Sequence, residues 1–66
     1  MKTRLFIKHV TKAKEKKIGT ILDKYNAEDL QVFDKGVSVK VNAGDVYDVI
    51  DAVNAVEYGI IDVWEE

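Results

Sequence analysis

Four lysines lie within six residues, Lys12, Lys14, Lys16 and Lys17, and this run is the part of the sequence best suited to binding an anion. It follows Thr11, whose hydroxyl can cap a helix, so the lysines would occupy the first turns of that helix. The start of a helix favours negative charge, and a bound anion would relieve the penalty of placing lysines there. The alternative is a solvated helix face whose lysine stems cover apolar surface. We favour the solvated face over the anion site.

A second group of candidate residues lies where strand alternation predicts a sheet face without helices. Both phenylalanines and the only tryptophan fall on it, Phe6, Phe33 and Trp64, together with Lys8 and Lys40. Exposed aromatic side chains that cluster together usually mark an interface. The alternative is that loops or the C-terminus fold over the rings. We predict that these five residues bind a partner, and Ser38 and Asp62 are expected on the same face.

Enzyme signatures are scarce, since the chain has one histidine, no cysteine and no glycine-rich phosphate loop. His9 alternates in phase with the apolar residues of its strand, which favours a partly covered histidine at the strand end. Asp45, Asp48 and Asp51 recur every three residues, but the first two fit the acid-favouring start of a helix. We therefore predict no catalytic site, no metal site and no cofactor.

Hydrophobic periodicity indicates the elements that must position these side chains. Period-two alternation predicts strands, and apolar residues three and four apart predict helices. Asn26 and Gly59 are plausible helix ends, and Asp34-Lys35-Gly36 is typical of a hairpin turn in which glycine supplies a positive φ. The predicted order is a strand over 4–10, a helix over 12–25, strands over 29–33 and 37–42, a helix from 45 and a strand over 61–64.

This order predicts an α+β fold, a single ferredoxin-like βαββαβ sandwich over residues 1–66 with a four-stranded antiparallel sheet and two helices on one face. The first and third strands are expected in the centre of the sheet. Gly19 inside the first helix suggests a close contact with a neighbouring element. The strand residues expected in the core are Leu5, Ile7, Leu30, Val32, Val37, Val39, Val41, Ile61 and Val63.

The composition fits a small globular protein that gains from a partner. A chain of 66 residues buries only about 60% of its unfolded surface, and no disulfide can compensate because cysteine is absent. Residues 1–24 carry a net charge of +6 and residues 25–66 a net charge of −8. The lysines of the first helix would thus lie beside Asp48 and Asp51 of the second. We expect a homodimer, no membrane span and a cytoplasmic location.

Two short segments resemble motifs of RNA-recognition domains. Leu5-Phe6-Ile7-Lys8-His9-Val10 is similar to the first-strand motif of that family, and Lys35-Gly36 followed by Val37-Ser38-Val39 is similar to the start of its third-strand motif. The resemblance implies base stacking on Phe6. The sequence departs from the family at Val37 and Val39, which stand where the stacking aromatics belong.

The function we predict is a non-enzymatic protein-interaction module, self-associating or inhibiting a larger protein through the open sheet face. The alternative is single-stranded RNA binding, with stacking on the sheet aromatics and phosphate contacts from Lys8 and Lys40. The net charge of −2 opposes that alternative, because such binders usually carry a basic field.

Overall fold

The computed structural model describes residues 1–8 and 11–64, which form one four-stranded antiparallel sheet and two helices. The strands are arranged in the order β2-β3-β1-β4, so the first and third strands are central as predicted. This arrangement confirms the predicted α+β ferredoxin-like fold. The elements are β1 (Lys2–Lys8), α1 (Lys12–Lys24), β2 (Glu28–Phe33), β3 (Gly36–Asn42), a 3₁₀ turn (Ala43–Asp45), α2 (Val46–Val56) and β4 (Ile61–Val63).

The hydrophobic core lies between the helices and one face of the two central strands. Leu5 on β1 and Val39 on β3 are register partners, and neither is more than 1% exposed. Alternation places every second residue of each central strand on this face, and the helices contribute residues three and four apart. The buried core residues are Leu5, Ile7, Ile18, Leu22, Val39, Val41, Val46, Val49, Val53, Ile60 and Ile61.

Helix α1 ends in a Schellman motif centred on Asn26, which confirms the predicted helix stop. Asn26 has a φ of 56° and donates its N–H to the carbonyl of Asp23, and Ala27 donates to the carbonyl of Leu22. Thr11 and Asp45 hold the predicted N-cap positions of α1 and α2. Neither side chain makes a capping hydrogen bond among the described residues.

The edge strand β2 lies largely outside the cover of the helices, contrary to the sequence prediction. Leu30 is 57% exposed and Val32 is 76% exposed, although alternation had placed both in the core. Val63 on the opposite edge strand, β4, is also 49% exposed. Two helices of this length cover the centre of the sheet, and both edges extend beyond them. A groove of about 200 Å³ opens between α1 and Leu30.

Gly19 lines this groove, and the close contact predicted for it is wrong. A Cβ atom built at Gly19 meets no atom within 4 Å. The glycine therefore leaves open space between α1 and the β2 edge.

Gly36 follows the Asp34-Lys35 turn and has the tight environment that Gly19 lacks. Its φ is 156°, and a Cβ atom there would lie 2.1 Å from the carbonyl oxygen of Ile7 on β1. Only glycine fits at that approach of two backbones. The predicted hairpin is confirmed, and the glycine requirement arises from β1 as well as from the turn.

Candidate functional site

Three aromatic rings meet on the face of the sheet that the helices do not cover. The ring centroids of Phe6 and Trp64 are 5.3 Å apart, those of Phe33 and Trp64 are 5.5 Å apart, and those of Phe6 and Phe33 are 6.2 Å apart. We call these three residues the aromatic cluster. Phe33 and Trp64 remain 42% and 41% exposed, and Phe6 is partly buried between them. The predicted placement of all three on the open face is confirmed.

Strand register explains how residues so far apart in the sequence reach one cluster. Phe6 lies on the central strand β1 opposite Asp62 of β4. Trp64 follows β4 and donates its backbone N–H to the carbonyl of Arg4, 2.8 Å away. Phe33 ends β2 opposite Gly36, so its ring reaches inward across a position without a side chain. The cluster therefore crosses the sheet diagonally from one edge strand to the other.

The rings contact one another at steep angles. The interplanar angle is 80° between Phe6 and Trp64, 73° between Phe33 and Trp64, and 52° between Phe6 and Phe33. Edge-to-face contacts of this kind stabilise aromatic groups beyond the area that they bury. Each contact also covers part of a ring face with the edge of a neighbour. The cluster is therefore a small apolar surface with limited flat area for a stacked base.

Next to the aromatic cluster lies a buried ionic network around Arg4. The Arg4 side chain is 8% exposed and pairs with the Asp29 carboxylate. Its guanidinium also donates to the hydroxyl of Ser38 at 2.7 Å, and Ser38 is fully buried. Lys40 lies 3.9 Å from the same Asp29 carboxylate. The predicted partner-binding residue Lys40 therefore already has a partner within the chain.

This network could not be predicted from the sequence pattern. Alternation places Arg4 on the open face with Ser38, and it does not indicate that either side chain is buried. Asp29 reaches Arg4 because β2 changes register between Glu28 and Gln31 and because Asp29 has a φ of 52°. Such an irregularity in a strand cannot be read from hydrophobic alternation.

Lys2 and Glu28 form a further ion pair at the edge of the open face, with the Lys2 ammonium 2.8 Å from the carboxylate. The hydrogen bond and the positive charge of Lys2 hold the pKa of Glu28 below its ordinary value of 4.5. Both side chains are exposed, so the pair contributes little to stability.

Two charged residues beside the aromatic cluster have no partner among the described residues. Lys8 lies at the end of β1, and Asp62 lies on β4. Both are exposed, and neither makes a described ion pair or side-chain hydrogen bond. Asp62 also lines a shallow groove of about 290 Å³ together with Phe6, Val63 and Trp64. Strand register puts Lys8 in line with Phe33 across Gly36, so the cluster has one positive and one negative group at its margin.

The chain matches no protein-family model, no curated protein and no solved structure. The functional argument therefore rests on the chemistry of the open face itself.

The four lysines predicted as an anion site do not share one environment. Lys12, Lys16 and Lys17 are exposed on α1, whereas the ammonium of Lys14 lies 2.5 Å from the carboxylate of Glu57 after α2. This contact joins the start of α1 to the end of α2. The anion site at the start of α1 stays a prediction. Lys14 already forms an ion pair with Glu57.

The lysines of α1 were predicted to lie beside Asp48 and Asp51 of α2, and no described ion pair joins them. Asp48 and Asp51 are exposed and make no ion pair among residues 1–8 and 11–64. Lys24, the last lysine of α1, instead lies over the ring of Tyr25 at 5.6 Å. Asp48 and Asp51 therefore stay available to solvent.

Within the described part of the chain, no three metal-ligating side chains converge. His9 lies outside the described residues. No described helix is both long and apolar enough to cross a membrane.

Proposed function

We propose that this protein is a non-enzymatic interaction module that binds a protein through the open face of its sheet. The partner is either a second copy or a larger protein whose site it occupies and inhibits. The observation that supports this proposal is the aromatic cluster, where Phe33 and Trp64 keep two fifths of their surface in water. Large aromatic side chains with this exposure supply much of the binding energy in protein interfaces.

The composition of the open face also favours a protein partner. The aromatic cluster is apolar, and charged groups lie beside it on the same face, so apolar and polar groups are combined as they are in protein interfaces. The Arg4–Asp29 pair is formed within the chain before any partner binds. Side chains that are already paired lose less conformational entropy on binding.

Single-stranded RNA is the second candidate, since Phe33 and Trp64 are exposed and Lys8 is an unpaired cation among the described residues. Stacking needs free ring faces and a basic groove. The steep ring contacts leave little free ring face for stacking. The negative charge of Asp62 beside Trp64 opposes a basic groove. We therefore rank RNA below a protein partner.

The proposal is tested by removing one exposed ring without disturbing the core. Phe33→Ser takes away part of the aromatic cluster, and Tyr47→Ser is the matched control, because Tyr47 is 80% exposed on α2. Sedimentation equilibrium from micromolar to near-millimolar protein measures self-association. Affinity capture from a lysate with the same two variants measures binding to a larger protein.

We expect Phe33→Ser to weaken association by about tenfold or more, as for an aromatic residue central to an interface, and Tyr47→Ser to leave it unchanged. The proposal is wrong if the wild-type protein stays monomeric and captures no protein that Phe33→Ser loses and Tyr47→Ser retains.

A further inference from the structure

The margin of the aromatic cluster is self-complementary in charge. We propose that the partner of this protein is a second copy of the same chain, bound face to face through the cluster. In this dimer Lys8 of each copy pairs with the partner's Asp62, so that two equivalent ion pairs flank the joined clusters. The inference rests on the proposed function and adds the identity of the partner and the orientation of the contact. Two-fold dimers require this reciprocity, in which residue i meets residue j and j meets i.

The strand register supports the geometry of such a contact. Phe6 and Asp62 are register partners, and Lys8 lies two residues beyond Phe6 on β1. Strands lie about 4.8 Å apart and rise about 3.4 Å per residue. On that spacing, a two-fold axis that lies in the interface and exchanges Lys8 with Asp62 passes beside Phe6. It therefore brings the two Phe6 rings together and places Phe33 over the partner's Trp64.

Two further charged positions of the face, Lys40 and Glu28, tolerate the same axis. Lys40 falls opposite the partner's Gln31, which is neutral. Glu28 approaches the partner's Glu28 at the edge of the interface, where Lys2 of each chain already neutralises the carboxylate. The apolar residues thus meet apolar residues, and the like charges that approach are paired within their own chains.

The size of the molecule limits the strength of this dimer. Its two longest dimensions are 31 and 22 Å, so two faces correspond to a flat area of about 1,400 Å², toward the lower part of the range of specific interfaces. We therefore expect a weak dimer that dissociates when the protein is diluted.

Charge reversal tests the cross-chain pairing directly. Lys8→Glu places two acids opposite each other at both sites of a homodimer, and Asp62→Lys places two lysines there. Each variant alone should dimerise about tenfold or more weakly than the wild type, because like charges in an interface repel. An equimolar mixture of the two variants should form a heterodimer, since each of its two sites then joins one acid to one lysine.

Lys17→Glu and Asp51→Lys are the matched controls, because they make the same charge changes at exposed helix positions. Their mixture should behave like the wild type. Association is measured by sedimentation equilibrium, and circular dichroism checks that each variant is folded. If Asp62→Lys does not fold, added salt is the second measurement. Salt should weaken wild-type association and strengthen that of Lys8→Glu, because it screens attraction in the first and repulsion in the second.

A mixture of Lys8→Glu and Asp62→Lys that associates no better than either variant alone would overturn this orientation. If Phe33→Ser still abolishes association in that case, the open face remains the interface and only the two-fold pairing fails. If Phe33→Ser also leaves association unchanged, the proposed function is rejected together with the orientation.

Discussion

The two faces of the sheet share the same strands but are completed in different ways. On the helix side, Leu5, Ile7 and Val39 are at most 2% exposed and pack with aliphatic side chains from both helices. On the other side, Ser38 and Arg4 are buried as well, although no helix covers them. Arg4 pairs there with Asp29 and donates to Ser38, and the three aromatic rings lie on the same face.

This difference follows from the small size of the chain. Sixty-six residues supply two helices, which are enough to cover the middle of one face. The open face covers its own centre and leaves the outer surfaces of Phe33 and Trp64 in water. We infer that the helix side maintains the fold and that the open side is available for a partner.

The largest effect is expected on the helix-covered face. Leu5→Ala removes a fully buried side chain and should lower the free energy of unfolding by about 2–5 kcal/mol, since it leaves a cavity. In a domain this small, such a loss is a large part of the total stability. Val32→Ala is the control, because Val32 is 76% exposed and its loss should change little. Urea denaturation followed by circular dichroism compares the two, and equal effects would contradict the assignment of the core.

The second effect lies on the open face. Asp29→Asn removes the carboxylate that Arg4 pairs with, while asparagine tolerates the φ of 52° at this position. We expect a loss of about 1–2 kcal/mol, the lower part of the range for a hydrogen bond to a charged group, since Asp29 is half exposed. Asp34→Asn in the exposed turn is the matched control. Urea midpoints that do not differ between the two variants would show that the network has no structural role.

A smaller change should stabilise the helix side. Gly19→Ala fills a position on α1 with no atom within 4 Å of the added Cβ, and alanine favours a helix over glycine by about 1 kcal/mol. We expect a higher urea midpoint and a higher Tm. A decrease in either quantity would indicate a close contact at Gly19 after all.

The smallest effect concerns the margin of the open face. Because Lys2 lowers the pKa of Glu28 in the folded state, this pair stabilises the protein above the unfolded pKa of 4.5 and loses its contribution as the pH falls through the folded pKa. Lys2→Met should move the Glu28 pKa back toward 4.5, as measured by an NMR titration of its side-chain carboxyl. Lys12→Met should leave that pKa where it is. A titration unchanged by Lys2→Met would mean that the ion pair does not form in solution.

The sequence predicted the fold because its strongest patterns are local. Alternation over Val37, Val39 and Val41 and the apolar stripes of both helices reflect the side that each element buries. The position of the aromatic cluster followed from the same alternation. Alternation cannot predict how far a helix extends over a sheet. Leu30 and Val32 therefore lie on the predicted side of the sheet but are exposed, because α1 does not reach over them.

The Arg4 network was missed for a related reason. Its formation depends on the positive φ of Asp29 and on the register shift in β2, and both are consequences of how the hairpin joins the sheet. Gly19 was misread because a glycine in a helix is compatible with close packing and with open space. In both cases the outcome depends on tertiary contacts, which local sequence patterns do not contain.

The emission of Trp64, the only tryptophan, tests most directly whether the open face is a protein interface. We would record it while diluting the protein alone and then while adding single-stranded RNA at low and moderate salt. The account predicts a red shift on dilution, as the ring returns to water, and no response to the RNA. Emission that is independent of protein concentration and is quenched by RNA in a salt-sensitive way would contradict it and identify the face as a nucleic-acid surface.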